Sequence, residues 1–248
     1  MPIFRVEIAG VPVEISCRFS ETEAFLKDFR TDKEPLLSIE PKESDLSKIQ
    51  EGFDFLYRRA GFEPVQKTDV ALENSAIHTL LAETLTEFDV IAMHGSALSM
   101  DGEAYVFTAK SGTGKSTHAR LWREVFGNRV WMVNDDKPML KVAEEGVTVY
   151  GSPWKGKHGL GRNASAPLKA IVKLERAEEN RIIPLSAADA YPTLFGQCFS
   201  SEKPEVARRI AEMEKRILNT VPFYKLGCNM DPDAAKVAYE GMNQGQDR

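Results

Sequence analysis

The chain has 248 residues, enough for one or two domains around a sizeable core. Hydrophobic residues make up 42% and charged residues 28%, an ordinary globular mixture that excludes a disordered or fibrous chain. Lys and Arg number 32 against 37 Asp and Glu, a formal net charge of -5, so the basic excess expected of a nucleic-acid binder is missing and no nucleic-acid partner is expected.

Ile3–Ile8 and Val11–Ser16 alternate apolar and polar residues around Ala9 and Gly10, which predicts a β-hairpin. The opening residues lead straight into this alternation without a signal-peptide pattern. No run approaches the ~20 apolar residues of a membrane helix. Cys17, Cys198 and Cys228 are widely separated and form no C-x-x-C pair, as befits thiols in a reducing compartment. The expectation is a cytoplasmic protein with no membrane partner. Helical spacing follows over 21–29, 44–57 and 71–88, the last with an apolar stripe of Leu72, Ala76, Leu80, Leu81, Leu85 and Phe88. The connection at 61–69 suggests a division into a small α+β N-terminal region, 1–70, and a larger domain, 71–248.

Short apolar strands are predicted at 90–93 and 104–108, with the turn Met100-Asp101-Gly102 between them, and at 129–133. Residues 140–142 and 147–150 flank Glu144-Glu145-Gly146, a hairpin signal, and 170–174 reads as a further strand. A helix near Ser201, with Pro204 in its first turn, should bury Val206, Ile210, Met213 and Ile217. The strand 223–226 and a helix from Asp231-Pro232 close the chain. Hairpins mixed with helices predict an α/β protein with a mixed sheet, not repeated βαβ units.

The strand 104–108 runs into Ala109-Lys110-Ser111-Gly112-Thr113-Gly114-Lys115-Ser116-Thr117, and helical spacing resumes at once. This is the strand–loop–helix context of the phosphate-binding P-loop, or Walker A motif, G-x-x-x-x-G-K-[ST]. Glycines there let backbone N–H groups turn towards phosphates, and the helix N-terminus adds partial positive charge. Lys115 would bridge the β- and γ-phosphates, and the Ser116 hydroxyl would hold Mg²⁺. The loop is therefore read as binding ATP or a close relative. It departs from the template once, with Ala109 at the first glycine position.

Asp135 and Asp136 end the strand that follows the loop's helix, where a metal-binding carboxylate belongs. One can organise Mg²⁺ while the other accepts a proton from an attacking hydroxyl. Asn-Asp-Asp-Lys-Pro would also make a good solvated turn. His94 ends the strand 90–93, and on its own serves equally as a structural or a site residue. His78 and His118 read as structural.

The order His94-Gly95, then Ser111-Gly112-Thr113-Gly114-Lys115-Ser116, then a strand ending Asp135-Asp136 resembles the catalytic domain of bacterial HPr kinase/phosphorylase and its relatives. The loop is also similar to that of phosphoenolpyruvate carboxykinase, which shares that core fold. The resemblance covers 94–174. It implies that Lys115 and Ser116 hold phosphate and Mg²⁺, that Asp135 lies beside the metal, that Asp136 is the base, and that His94 lines the site. It implies phosphoryl transfer from ATP to a hydroxyl, on a serine of a protein or peptide. Relatives are often homo-oligomers. The family's glycine-rich stretch carries a metal-binding glutamate, whereas 151–162 here contains no acid; with its glycines and positive charges it reads either as a lid meeting phosphates or as a plain loop. Other readings stay open: a nucleotide-sensing module, an ATPase driving a conformational change, and a phosphoenolpyruvate carboxykinase-like enzyme.

Overall fold

The computed structural model of the protein describes residues 1–243, and its contacts divide the chain into two compact units, Met1–Leu85 and Thr86–Arg248. The division falls after the third helix, not at the 61–69 connection, because that helix packs on the helices before it.

In the first unit, β1 (Ile3–Ile8) and β2 (Val11–Ser16) pair antiparallel, and β3 (Leu37–Ile39) adds parallel to β2. Ala9 and Gly10 both take positive φ, as a tight two-residue hairpin turn demands. The helices are α1 (Ser20–Leu26), α2 (Glu43–Arg59) and α3 (Asp69–Thr84). Leu46 of α2 packs against Leu72 and Ala76 of α3. The N-cap of α1, Phe19, has no side chain to cap with. Glu73 of α3, fully buried, does it instead: its carboxylate accepts from Arg18 N at 2.6 Å, Phe19 N at 3.4 Å and Thr22 Oγ1 at 2.6 Å.

The second unit is built on a curled mixed sheet. Its strands are β4 (Val90–Ala92), β5 (Ser96–Met100), β6 (Glu103–Thr108), β7 (Val130–Asn134), β8 (Met139–Ala143), β9 (Gly146–Tyr150), β10 (Ser165–Arg176), β11 (Arg181–Leu185) and β12 (Phe223–Cys228). The order runs β4-β8-β9-β10-β6-β5-β7, with β12 and then β11 also attached through β10. β10 is the hub. Its first residues pair antiparallel with β9, and its remainder lies parallel to β6 on one side and to β12 on the other.

Helices cover both faces of this sheet: α5 (Ala187–Gln197) and α6 (Pro204–Thr220) on one, α4 (Lys115–Phe126) and α7 (Asp233–Asn243) on the other. Side chains alternate between the layers with the two-residue period of a strand. Ala104 and Val106 of β6 enter the first core, and Tyr105 and Phe107 the second. A strand buried on both faces reads as a continuous apolar run, which is why 104–108 is so legible. Among the described residues no helix is long and apolar enough to cross a membrane. The three cysteines are free thiols.

Three elements of this unit depart from the sequence expectations. β5 is a full strand, paired with β6 through the positive-φ turn Asp101-Gly102. Its two serines hide it from a propensity reading, although all five of its residues are buried. β11 carries Pro184, tolerated because β11 is an edge strand paired only with β12. α5 contains Pro192, a residue that normally argues against a helix interior.

His118 of α4 is buried against Phe107, ring centroids 4.6 Å apart, and accepts a hydrogen bond from Trp122 Nε1 at 3.0 Å through its Nε2. Burial pushes its pKa down to about 4, so the imidazole is neutral with the proton on Nδ1. The unfolded chain takes up that proton near pH 6.5 and the native state only near pH 4. This contribution is therefore complete above pH 6.5 and is lost as pH falls towards 4. At pH 5 the loss is about 2 kcal/mol. Urea unfolding followed by tryptophan fluorescence should show it, since all three tryptophans belong to this unit. His118→Gln, which keeps an acceptor for Trp122, should flatten the pH dependence between 7 and 5.

Candidate functional site

β5 runs antiparallel to both its neighbours, so its first residues lie beside the last residues of β6 and β7: Ser96 opposite Phe107, and Ala97 opposite Asn134. Three connections thereby meet at one end of the sheet. They are His94-Gly95 before β5, the loop 109–114 after β6, and the Asp135-Asp136 turn after β7. Neighbouring strands are ~4.8 Å apart, so residues distant in sequence come within reach of one another.

The loop rises from β6 and becomes α4 at Lys115. Gly112 and Gly114 have φ of 76° and 124°, a region that side chains rarely enter. The N-cap, Gly114, has no side-chain cap and the first turn of α4 carries no acid, which leaves the helix's positive end uncompensated. Lys110 and Ser111 are exposed at the crest; Thr113, Ser116 and Thr117 are half-buried. The Lys115 ammonium folds back to donate to Ala109 O at 3.1 Å. Ala109 is not among the positive-φ residues, and its methyl group is buried in the core beneath α4. A glycine is therefore not required there. Arg176, at the end of β10, braces the loop from the other side, with Nη2 donating to Gly112 O at 2.6 Å.

The acidic turn is held by Asn134. Its carboxamide nitrogen donates to Ser152 O at 3.0 Å and Oγ at 3.1 Å, and its oxygen accepts from the backbone N–H of Asp136 at 2.9 Å and of Lys137 at 2.7 Å. The Ser152 hydroxyl in turn donates to Lys137 O at 2.6 Å. This turn sets the two carboxylates in different environments. Asp135 is buried, and its Oδ1 accepts from the Ser96 hydroxyl at 2.6 Å. The Asp136 side chain keeps 33% of its surface and faces His94, whose side chain keeps 41%, with Nε2 3.6 Å from Oδ1. Both remain open to an incoming molecule, and that separation is too long for a hydrogen bond.

Burial, then the Lys115 charge, pushes the His94 imidazole below its ordinary pKa, with Asp136 opposing. His94 is therefore neutral at neutral pH. Burial likewise lowers the Lys115 and Lys137 ammonium groups, opposed in both by Asp136. The His94 main chain is fixed by its N–H to Gln197 O at 2.7 Å, and its carbonyl accepts from Thr108 Oγ1 at 3.0 Å.

The segment 151–162 is tied at both ends to this turn. Gly151 N donates to Ala164 O, Arg162 N to Val133 O, and Leu160 O accepts from Asp135 N at 3.0 Å. A Cβ on Gly151 would lie 1.9 Å from Arg162 O, and one on Gly156 would lie 3.1 Å from Asp136 Cβ. Gly156 and Gly161 thus serve close packing against the acidic turn. Lys157, His158 and Gly159, at its tip, are exposed.

Sequence reasoning passed over Ser96, Asn134, Lys137, Ser152, Arg176 and Gln197. Ser96, Asn134 and Lys137 adjoin motif residues and were within view. Ser152, Arg176 and Gln197 reach the site only through tertiary pairing. Among the described residues no three His, Cys, Asp or Glu side chains gather into a metal-binding group.

No family model matches this chain, and no curated protein does. Among solved structures, the Hpr(Ser) kinase/phosphatase from Coxiella burnetii is distantly similar in fold. The likeness has a TM-score of 0.39 and 11% sequence identity, and covers 62% of this chain and 97% of that one.

Replacing Asn134 strands buried partners on both sides of the turn. Asn134→Ala should cost about 2–3 kcal/mol in urea unfolding, in line with leaving buried donors and acceptors unpaired. Surface Lys157→Ala should cost less than ~0.5 kcal/mol.

Proposed function

We propose that this protein is a phosphotransferase that binds ATP with Mg²⁺ and passes the γ-phosphoryl group to a hydroxyl, on a serine of a protein or peptide. The observation that carries the reading is the division between the two carboxylates beside the glycine loop. Asp136 is open and able to meet a substrate hydroxyl. Asp135 is buried, with one oxygen engaged by Ser96. The resemblance of His94, the loop and the acidic pair to the HPr kinase/phosphorylase catalytic domain points the same way.

The residues fit the groups they would hold. The uncapped α4 N-terminus and the positive-φ glycines suit a polyphosphate. Mg²⁺ in nucleotide sites takes one or two carboxylates, with phosphate and water oxygens filling its other positions, so the lack of a three-residue cluster is no obstacle. Asp135 and Ser116 would supply the protein's share. When bound, the ion would neutralise charge on the β- and γ-phosphate oxygens. Lys115 would leave Ala109 O and turn its charge on the same oxygens. Asp136 would take the proton of the acceptor hydroxyl as its oxygen bonds to the γ-phosphorus and the bond to the β,γ-bridging oxygen breaks. Neutral His94 would line the acceptor side beside Asp136.

A nucleotide-sensing module is the second reading, favoured by the absence of any acid in 151–162. Incubation with γ-labelled ATP, Mg²⁺ and small-protein and peptide extract separates the two. Phosphotransfer should label an acceptor. Asp136→Asn should cut labelling by about 10²–10⁴-fold while ATP still binds, and Lys115→Ala should weaken ATP binding itself. Bound ATP that stays intact with every acceptor would sink the transferase reading in favour of the sensor.

A further inference from the structure

β6, β10 and β12 run parallel, with β10 in the middle, so their carboxyl ends open on the same side of the sheet. Open α/β sheets bind ligands outside such ends. The loop after β6 holds the candidate phosphate site. Between that loop and the ends of β10 and β12 lies a second space, a cleft of about 520 Å³. Small-molecule sites span ~300–1,000 Å³. Its walls include Gly112, Gly114, Thr117, Arg176, Cys228 and Met230, so it shares the glycine loop with the phosphate site.

We infer that this cleft holds the nucleobase and sugar of the nucleotide, gripping the base by its faces and not by its edge. The inference rests on the nucleotide reading above. Met230 stands 78% exposed on the rim. A thioether so exposed forfeits its burial in the free protein, and its polarisable sulfur pairs well with an aromatic ring. Arg176 spends its Nη2 on Gly112 O, an in-plane bond that leaves the guanidinium faces available for stacking.

Several polar groups around Asn229, on the cleft wall, are spent on one another. Asn229 Nδ2 donates to Glu178 O at 2.8 Å, and its Oδ1 accepts from Asp231 N at 2.9 Å. Asn229 N donates to Asn180 Oδ1 at 3.0 Å, and Ala177 N to Cys228 O at 3.0 Å. The side chain best suited to reading a purine edge is therefore occupied at both ends. A second observation comes from His118, a wall residue that is only 2% exposed and whose Nδ1 has no hydrogen-bond partner. A sugar hydroxyl is the kind of acceptor it lacks.

A site that stacks but does not read edges discriminates weakly, whereas one built on edge hydrogen bonds rejects the wrong partner by orders of magnitude. Calorimetric titration with ATP, GTP and inorganic tripolyphosphate, each with Mg²⁺, tests this on the whole chain. ATP and GTP should bind within about tenfold of each other. Met230→Ser should weaken both by about fivefold. Ala177→Trp, at an exposed position on the cleft wall, should fill the space and weaken both by more than about tenfold. Tripolyphosphate should bind all three proteins alike. A preference between ATP and GTP above about a hundredfold would overturn the face-only grip. Tripolyphosphate binding with ATP unaffected by either variant would overturn the cleft assignment alone. Failure of the parent protein to bind either ATP or tripolyphosphate would overturn the phosphate site together with the cleft.

Discussion

The geometry of this site depends on one buried carboxamide. Asn134 uses both ends of its side chain, gripping Ser152 with its nitrogen and the backbone of Asp136 and Lys137 with its oxygen. A carboxylate turn at the end of a strand has no intrinsic reason to point one acid inward and the next outward. The amide supplies that reason by pulling two successive N–H groups towards one oxygen. Asp135 is thereby turned onto Ser96 and Asp136 towards His94. Asparagine suits this role because it offers donors and acceptors on one short side chain. Aspartate would meet the Ser152 carbonyl with a second acceptor.

Around this turn the charges balance locally. Three basic groups, His94, Lys115 and Lys137, sit where burial disfavours their charged forms, and Asp136 opposes that penalty in each. The carboxylate is thus the common neighbour of the cluster. The glycine loop contributes positive potential through its helix end and offers no acid in the first turn to cancel it. The Lys115 ammonium rests on the Ala109 carbonyl.

Elements whose signal is local were legible in the sequence. The first hairpin falls at its expected residues because Ala9-Gly10 and a period-two alternation reinforce each other. The buried face of α6 matches its expected Val206, Ile210, Met213 and Ile217. Elements whose reasons are tertiary were not. β5 begins with a serine because Ser96 serves Asp135, a demand invisible without the partner strand. β11 and α5 each carry a proline that only an edge position or a packed context excuses. The motif residues His94, Lys115, Asp135 and Asp136 announced themselves by type and order. Their supports, Ser152, Gln197 and Arg176, are ordinary polar residues whose significance comes from where β9, α5 and β10 deliver them.

The placement of β10 also orders events in time. The glycine loop leaves the ribosome some sixty residues ahead of Arg176, and β12, which flanks β10 on its far side, follows only at Phe223–Cys228. Pairings of such sequence separation are slow to close, because the chain must lose loop entropy before the contacts reward it. A nascent chain therefore carries its glycine loop for a long interval without the guanidinium that braces it. Maturation of the loop is a late event, coupled to completion of the sheet.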